Sequence, residues 1–250
     1  MNIKIKNVII LGLVSLLIFS SVAFTGEAAD MTVEESQSTC FDSSLVGRWR
    51  FNEWFGPIAF DSSGKGNHGV IHGATRIAGL KGKALDFDGV DDYVECADSS
   101  SLDIDSALTI MAWINIDYES NPCARIISKY DYELVYPPWM YEFYSYELAL
   151  STHGELIFIS NSCYYYNWDN ELPMDVWVHV AVTLSNYGTA KMYINGQLED
   201  IFTDVPLPTP NDEPLTIGIS SDLTASFDGT IDEVRLYNRA LSQEEIQVIM

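Results

Sequence analysis

Hydrophobic and polar residues alternate with a period of two along most of the chain after residue 45. In residues 108–116 (LTIMAWINI), five apolar side chains share one face: Leu108, Ile110, Ala112, Ile114 and Ile116. Residues 177–184 (WVHVAVTL) likewise direct four side chains to one face: Val178, Val180, Val182 and Leu184. Residues 146–151 and 155–160 alternate in the same way. This period over short segments is typical of half-buried antiparallel strands.

Turn and capping signals complete the prediction. Asn195-Gly196 predicts a hairpin, because both positions of a type I′ turn need positive φ angles. Only the C-terminus looks helical, where Ser242 and Glu245 form a capping box. About a dozen strands without alternating helices predict an all-β, two-sheet antiparallel jelly-roll sandwich with a short C-terminal helix. We expect one domain, over residues 45–250.

The charge of the chain limits its partners. The 250 residues include 13 lysines and arginines against 36 aspartates and glutamates, a formal net charge of −23. Nucleic acids and anionic membranes are recognised by clustered basic residues, so this balance argues against both. It favours neutral ligands or cations.

The N-terminus has the pattern of a secretory signal. Lys4 and Lys6 precede an apolar run over residues 8–19, and small residues follow. We predict a signal peptide over residues 1–28, with cleavage after Ala23 or Ala28, and a polar linker over residues 29–44. The mature protein would then be secreted, or held in the cell envelope, without a membrane span. The alternative is a retained anchor, although the run is short for a span.

The four cysteines are Cys40, Cys96, Cys123 and Cys163. An even number in a secreted chain predicts two disulfides, with three possible connectivities. We expect a Cys123–Cys163 bridge around the aromatic stretch, which leaves Cys40–Cys96. If the strands between Cys123 and Cys163 form a simple meander, these two cysteines instead start at opposite ends of the sheet.

Several segments together resemble the LamG-like jelly-roll domain of the concanavalin A-like lectin/glucanase superfamily. They include LVGRWRFNE (45–53), AFDSSGKGNHG (59–69), GKALDFDGVDDYVEC (82–96), WVHVAVT (177–183), MYINGQ (192–197) and GTIDEVRLYNRALSQEEI (229–246). The resemblance covers residues 45–250. It implies one convex and one concave sheet, a structural calcium, and recognition of carbohydrate or protein outside the cell.

The calcium prediction rests on the turn DSSGKGN, from Asp61 to Asn67, which is rich in glycine and oxygen ligands. In LamG-like relatives this turn lies near the IDEVR strand, so the resemblance implies Asp232 as a second carboxylate, with Glu53 as a further candidate. The alternative is a plain turn in which Asp61 accepts bonds from nearby backbone. A second acidic group is interpreted as solvated charge: Asp86, Asp88, Asp91 and Asp92.

The candidate binding surface is aromatic. Residues 130–168 hold 13 of the 31 aromatic residues. Sugars stack their C–H faces on such rings, and the predicted ligand-binding residues are Trp139, Tyr141, Tyr144, Tyr164, Tyr165 and Trp168. Two alternatives remain: the rings pack on one another, or they bind a protein, since Trp and Tyr are enriched in protein-binding hot spots.

Catalytic motifs do not favour an enzyme. The E-x-D-x-x-E strand of laminarinase-type relatives is absent, as are H-E-x-x-H and G-x-S-x-G. His179 is interpreted as a structural histidine, and no spacing supports an acid pair of Glu147 and Asp131. The hypothesis is a secreted, non-catalytic domain that binds glycan and holds calcium. The alternatives are a protein-binding adhesion or envelope module, and a glycoside hydrolase or lyase with an unrecognised carboxylate pair.

Overall fold

The computed structural model describes residues 42–117, 123–135, 140–161 and 163–250, which form sixteen strands and one helix. In chain order these are β1 (Leu45–Trp49), β2 (Ile58–Ala59), β3 (Gly69–His72), β4 (Thr75–Gly79), β5 (Gly82–Asp88), β6 (Tyr93–Cys96), β7 (Leu108–Ile116), β8 (Ala124–Val135), β9 (Met140–Leu150), β10 (Glu155–Ser160), β11 (Cys163–Glu171), β12 (Val178–Leu184), β13 (Ala190–Ile194), β14 (Gln197–Phe202), β15 (Leu215–Ile217), β16 (Asp228–Tyr237) and α1 (Gln243–Ile249). The predicted signal peptide and all but the last three residues of the predicted linker lie outside the described residues.

The strands form two antiparallel sheets of eight strands each. The first sheet has the order β14-β13-β12-β7-β16-β5-β4, and β1 also pairs with β16. The second sheet has the order β11-β10-β9-β8-β15-β6-β3-β2. The predicted jelly-roll sandwich is confirmed.

The core lies between the two sheets, where the alternation of β7 and β12 placed it. All five residues of the predicted inward face of β7, from Leu108 to Ile116, belong to the main buried cluster. So do the four predicted residues of β12, from Val178 to Leu184. Burying these apolar side chains is the main favourable contribution to folding.

The C-terminal helix covers part of the outer face of the first sheet. Met111 and Ala181 point away from the main core, yet both are buried in a second cluster with Tyr193, Leu241 and Ile246. The predicted capping box is present at the start of α1. Within the described part of the chain, α1 has only seven residues, and nothing there is a helix of the length and apolarity needed to cross a membrane.

The predicted hairpin also forms. β13 and β14 pair around Asn195 and Gly196, whose φ angles are 51° and 72°. These are the positive values that the turn requires.

The predicted Cys123–Cys163 disulfide is not formed. Cys96, Cys123 and Cys163 are free thiols. Cys123 precedes β8 and Cys163 begins β11, with β9 and β10 between them. Three strand spacings amount to roughly 14 Å along the sheet, twice the Cα separation that a disulfide spans. Cys96 is buried, and its predicted partner Cys40 lies outside the described residues.

Candidate functional site

The predicted aromatic residues that the structure describes lie on two strands of the second sheet, β9 and the edge strand β11. Tyr141 and Tyr144 lie on β9, and Trp168 lies on β11. The side chains of these three residues lie outside the described part of the chain, as does the whole of Trp139. Tyr164 and Tyr165, both on the edge strand β11, are described in full.

Tyr164 and Tyr165 point to opposite faces of the sheet. Tyr165 stacks on Phe158 at 6.4 Å between ring centroids, and it also contacts Phe202 at 5.3 Å, so its ring packs against the core. Tyr164 pairs with Ile159 on the other face, and 49% of it is exposed. Because neighbouring residues of a strand alternate in direction, the two tyrosines cannot form one stacking surface.

A row of residues continues from Tyr164 across the outer face of the second sheet. In register, Tyr164 of β11 lies beside Ile159 of β10, then Glu147 of β9, then Ser128 of β8. Ile159, Glu147 and Ser128 are at most 1% exposed. The row therefore runs from an exposed ring at the edge of the sheet to a buried carboxylate.

The buried carboxylate belongs to an ion pair. Arg125 Nε donates to Glu147 Oε2 at 2.5 Å, and Ser128 Oγ donates to the same oxygen at 2.9 Å. Glu147 Oε1 is buried and has no hydrogen-bond partner within the described part of the chain. Asp131 is not part of this group, because it pairs with Tyr144, three residues before Glu147 on β9, and so lies on the other face.

Arg125 also fixes the exposed tyrosine. Burial lowers the pKa of Arg125, but the charge of Glu147 and its hydrogen bond outweigh this and raise the pKa. Burial raises the pKa of the Tyr164 hydroxyl, and the charge of Arg125 and a hydrogen bond from its guanidinium partly offset that rise. The ion pair therefore holds the hydroxyl of a tyrosine that is about half exposed.

The residues predicted to bind calcium do not fit a cation. Asp61 Oδ1 accepts from the backbone N–H groups of Arg48, at 2.9 Å, and Ser63, at 2.8 Å. Its Oδ2 accepts from Ser63 Oγ, at 2.7 Å, and from the backbone of Asn67, at 3.0 Å. The Asn67 amide donates to Val46 O at 2.7 Å. Donor hydrogens point at both oxygens of Asp61, where a cation would repel them, so this carboxylate organises the turn.

Asp232 and Glu53, the other predicted ligands, have different partners. Asp232 Oδ2 accepts from the backbone of Lys81 at 3.0 Å. Glu53 Oε2 pairs with Arg76 at 3.2 Å, and its Oε1 accepts from the backbone of Phe60 at 2.8 Å. Neither carboxylate shares a bonding partner with Asp61 among these contacts.

Asp232 instead lies in a buried polar group of the first sheet. In register, Trp113 of β7 has His179 of β12 on one side and Asp232 of β16 on the other. Trp113 Nε1, His179 Nδ1 and Asp232 Oδ1 are buried without a hydrogen-bond partner in the described residues. Burial, aided by the charges of Arg235 and Lys81, lowers the pKa of His179 to about 3.

The acidic group interpreted as solvated charge is partly exposed. Carboxylate oxygens of Asp88, Asp91 and Asp92 come within 4.8 Å of one another, and Asp88 and Asp91 are exposed. Burial and the charges of Asp88, Asp91 and Asp86 raise the pKa of Asp92, although a backbone bond from Asp88 opposes this. These are the effects expected of like charges close together.

Sequence reasoning missed two features of the surface. It gave no role to Arg125, because the pairing with Glu147 depends on a strand register that the sequence does not reveal. It also passed over Trp54 and Phe55, which are 84% and 89% exposed. The available signal was a pair of aromatic residues followed by Gly56-Pro57, outside any alternating segment.

Two antiparallel sheets with the core between them, and a helix packed on the outer face of one sheet, form a β-sandwich. The chain belongs to the concanavalin A-like lectin/glucanases superfamily, whose laminin G-type family matches residues 88–247. Among curated proteins, none matches the chain.

Solved structures with the same fold have low sequence identity to the chain. The binding domain of Paraclostridial Mosquitocidal Protein 1 has 15% identity and a TM-score of 0.62, over 83% of this chain and 52% of that one. Domain 4 of AbnA, a GH43 extracellular arabinanase from Geobacillus stearothermophilus, in complex with arabinotriose, has 19% identity and a TM-score of 0.62, over 82% of this chain and 98% of the domain. Trypanosoma rangeli sialidase in complex with sialic acid has 19% identity and a TM-score of 0.60, over 82% of this chain and 32% of the sialidase. The chain therefore spans about half of the first of these structures and about a third of the last.

Proposed function

We propose that this protein is a carbohydrate-binding domain that contacts glycan through Tyr164, on the edge strand β11 of the second sheet. The observation that carries the proposal is an exposed ring whose hydroxyl is held by a buried ion pair. A ring already fixed in place loses little conformational entropy when a sugar stacks on it, which favours binding.

The comparisons support the same class of ligand. Domain 4 of the arabinanase, which shares the fold over 82% of this chain, was solved with arabinotriose bound. Arabino-oligosaccharides are therefore the first probe, followed by a panel of other neutral glycans. In this proposal Tyr164 contacts the sugar, and Arg125 and Glu147 are positioning residues that hold its ring.

Calorimetric titration of the protein with arabinotriose and the neutral panel tests the proposal. We expect binding to at least one glycan, and Tyr164→Ala should weaken it about tenfold, which corresponds to about 1.4 kcal/mol. Tyr164→Phe keeps the ring but loses its hydrogen bond to Arg125, so its affinity should lie between those of the wild type and Tyr164→Ala. The matched control is Tyr187→Ala, since Tyr187 is 94% exposed on the β12–β13 turn, and this variant should bind as the wild type does.

Two results would overturn the proposal. One is an absence of binding to every glycan in the panel by a protein with a normal melting transition. The other is binding that Tyr164→Ala and Tyr187→Ala weaken equally. If glycans fail and Tyr164→Ala abolishes capture by a protein of the cell surface, the adhesion module becomes the function of this site.

Two further features are part of the proposal. We place the domain outside the cell, on the strength of the N-terminal pattern of basic, apolar and small residues. We also propose binding without catalysis, because Glu147 already shares one oxygen with Arg125 and Ser128. Release of reducing ends from the bound glycan would contradict this second part.

A further inference from the structure

The loop between β1 and β2 exposes two large aromatic side chains. Phe51 before it and Ala59 after it are fully buried, whereas Trp54 is 84% and Phe55 is 89% exposed. Two neighbouring aromatic side chains that are both exposed form an apolar patch, and exposed apolar patches mark interaction sites. The loop leads into β2, which is the edge strand opposite to β11, so it lies at the other edge of the second sheet from Tyr164.

The loop is held from below by one arginine. Arg76 donates to Gly56 O at 2.5 Å and to Ile58 O at 2.7 Å, and it pairs with Glu53 at 3.2 Å. Glu53 in turn accepts from the backbone of Phe60. Both ends of the turn are therefore tied to the sandwich, and the two rings project from a fixed backbone.

A lysine lies against the first ring. Lys83 Nζ is 5.0 Å from the ring centroid of Trp54 and 3.4 Å from the Trp54 carbonyl oxygen. The backbone of Lys83 is fixed as well, since its N–H donates to Asn52 Oδ1 at 2.7 Å. An ammonium has three N–H donors, and Lys83 forms no ion pair with any carboxylate in the described part of the chain. At least one donor is free for an anion beside the ring.

The segment that contains this loop is rich in basic residues. Residues 48–83 contain six basic and two acidic side chains, in a chain whose net charge is −23. Arg48 and Arg50 pair with Glu233, and Arg76 pairs with Glu53, so the excess positive charge comes from the lysines of the segment, which include Lys83. A local excess of positive charge attracts an anionic ligand. The same net charge opposes association with a second copy of the chain and with an anionic membrane.

We propose that Trp54, Phe55 and Lys83 form a second carbohydrate-binding surface, specific for sugars that carry a carboxylate. The rings would stack on the C–H faces of the sugar, and the Lys83 ammonium would bind its carboxylate. This surface is separate from Tyr164, so it stands whether or not the neutral-glycan site is correct.

Titration with trigalacturonate and with its methyl ester tests this surface, because the ester keeps the sugar rings and lacks the negative charges of the carboxylates. At 50 mM salt we expect trigalacturonate to bind at least tenfold more tightly than the ester. Trp54→Ala should weaken both ligands about tenfold. The wild type should bind trigalacturonate more weakly at 300 mM than at 50 mM salt. Lys83→Met should bind acid and ester equally, and its affinity should not depend on salt over this range.

The controls separate this proposal from the previous one. Tyr164→Ala and Tyr187→Ala should leave trigalacturonate binding unchanged, and melting curves should show that Trp54→Ala folds normally. Equal affinity for acid and ester, or an acid preference that survives in Lys83→Met, would overturn the proposal. So would binding to phosphatidylcholine vesicles that depends on Trp54 in a protein that binds neither sugar.

Discussion

Protonation of His179 and protonation of Asp232, which lie on either side of Trp113 in the first sheet, should change the free energy of unfolding in opposite directions. Burial lowers the pKa of His179 from 6.5 to about 3, and the charges of Arg235 and Lys81 add to the effect. Burial raises the pKa of Asp232 from 3.8 to about 6, aided by the charge of Glu233 and opposed by backbone hydrogen bonds from Lys81 and others.

The signs follow from which state holds each proton more tightly. The folded state binds a proton at His179 more weakly than the unfolded state, so this contribution is full above pH 6.5 and is lost as the pH falls toward 3. The folded state binds a proton at Asp232 more tightly, so that contribution is full below pH 3.8 and is lost as the pH rises through 6. Between about pH 4 and 6 the two slopes, each about 1.4 kcal/mol per pH unit, cancel in the wild type.

Single variants should reveal each slope. Relative to the wild type, the unfolding free energy of Asp232→Asn should rise by about 2 to 3 kcal/mol from pH 4 to pH 6, because only the His179 contribution remains. That of His179→Gln should fall by about the same amount. Urea denaturation at pH 4, 5 and 6 in buffer with chelator measures both. Exposed His153→Gln is the control and should run parallel to the wild type. Profiles of Asp232→Asn and His179→Gln that also run parallel to the wild type would refute this account.

Three other changes test single contacts. Arg125→Met leaves the Glu147 charge buried and unpaired and should cost about 3–5 kcal/mol in urea denaturation, much of which a second Glu147→Gln change should restore. Asp61→Ala removes an acceptor for four hydrogen bonds and should lower the free energy of unfolding by about 2–4 kcal/mol. Because those donors fill the site, the wild type should have the same melting temperature with calcium and with chelator. A calcium-dependent rise in melting temperature that Asp61→Asn abolishes would contradict this. Ser242→Ala removes the N-cap of α1 and should lower the free energy of unfolding by about 1 kcal/mol, as measured by thermal denaturation. The control is Ser100→Ala, because Ser100 does not cap α1.

The fold could be predicted from the sequence because one physical rule determined most of it. Alternation in β7 and β12 assigns each residue to a face, and the faces that are uniformly apolar are the ones in the core. The same rule does not say what covers the other face. Met111 and Ala181 lie on that face and are buried only because the chain returns after β16 and lays Ile246 of α1 over them.

The candidate sites could not be predicted in the same way, because they depend on strand register and on the path of the backbone, which the sequence pattern does not reveal. Arg125 and Glu147 are 22 positions apart and meet through a register that includes a bulge between Arg125 and Ile127. The residues next to Asp61 in the sequence are of the types that bind calcium, but in the fold they surround its carboxylate with N–H and O–H donors. Only the path of the backbone decides whether such a turn holds a cation or hydrogen-bond donors. Tyr164 and Tyr165 are adjacent in sequence and lie on opposite faces of the sheet, which alternation predicts once the residues are known to lie on a strand.

The positions of the two proposed surfaces set the kind of ligand that this domain would hold best. Tyr164 lies on β11 and the Trp54 loop leads into β2, the two edge strands of an eight-stranded sheet. Seven strand spacings separate them, about 34 Å along the sheet. A trisaccharide is too short to reach both, whereas a polysaccharide with neutral and carboxylated segments is long enough. Because the second contact of such a chain is intramolecular, its affinity would exceed that of either fragment without any new contact.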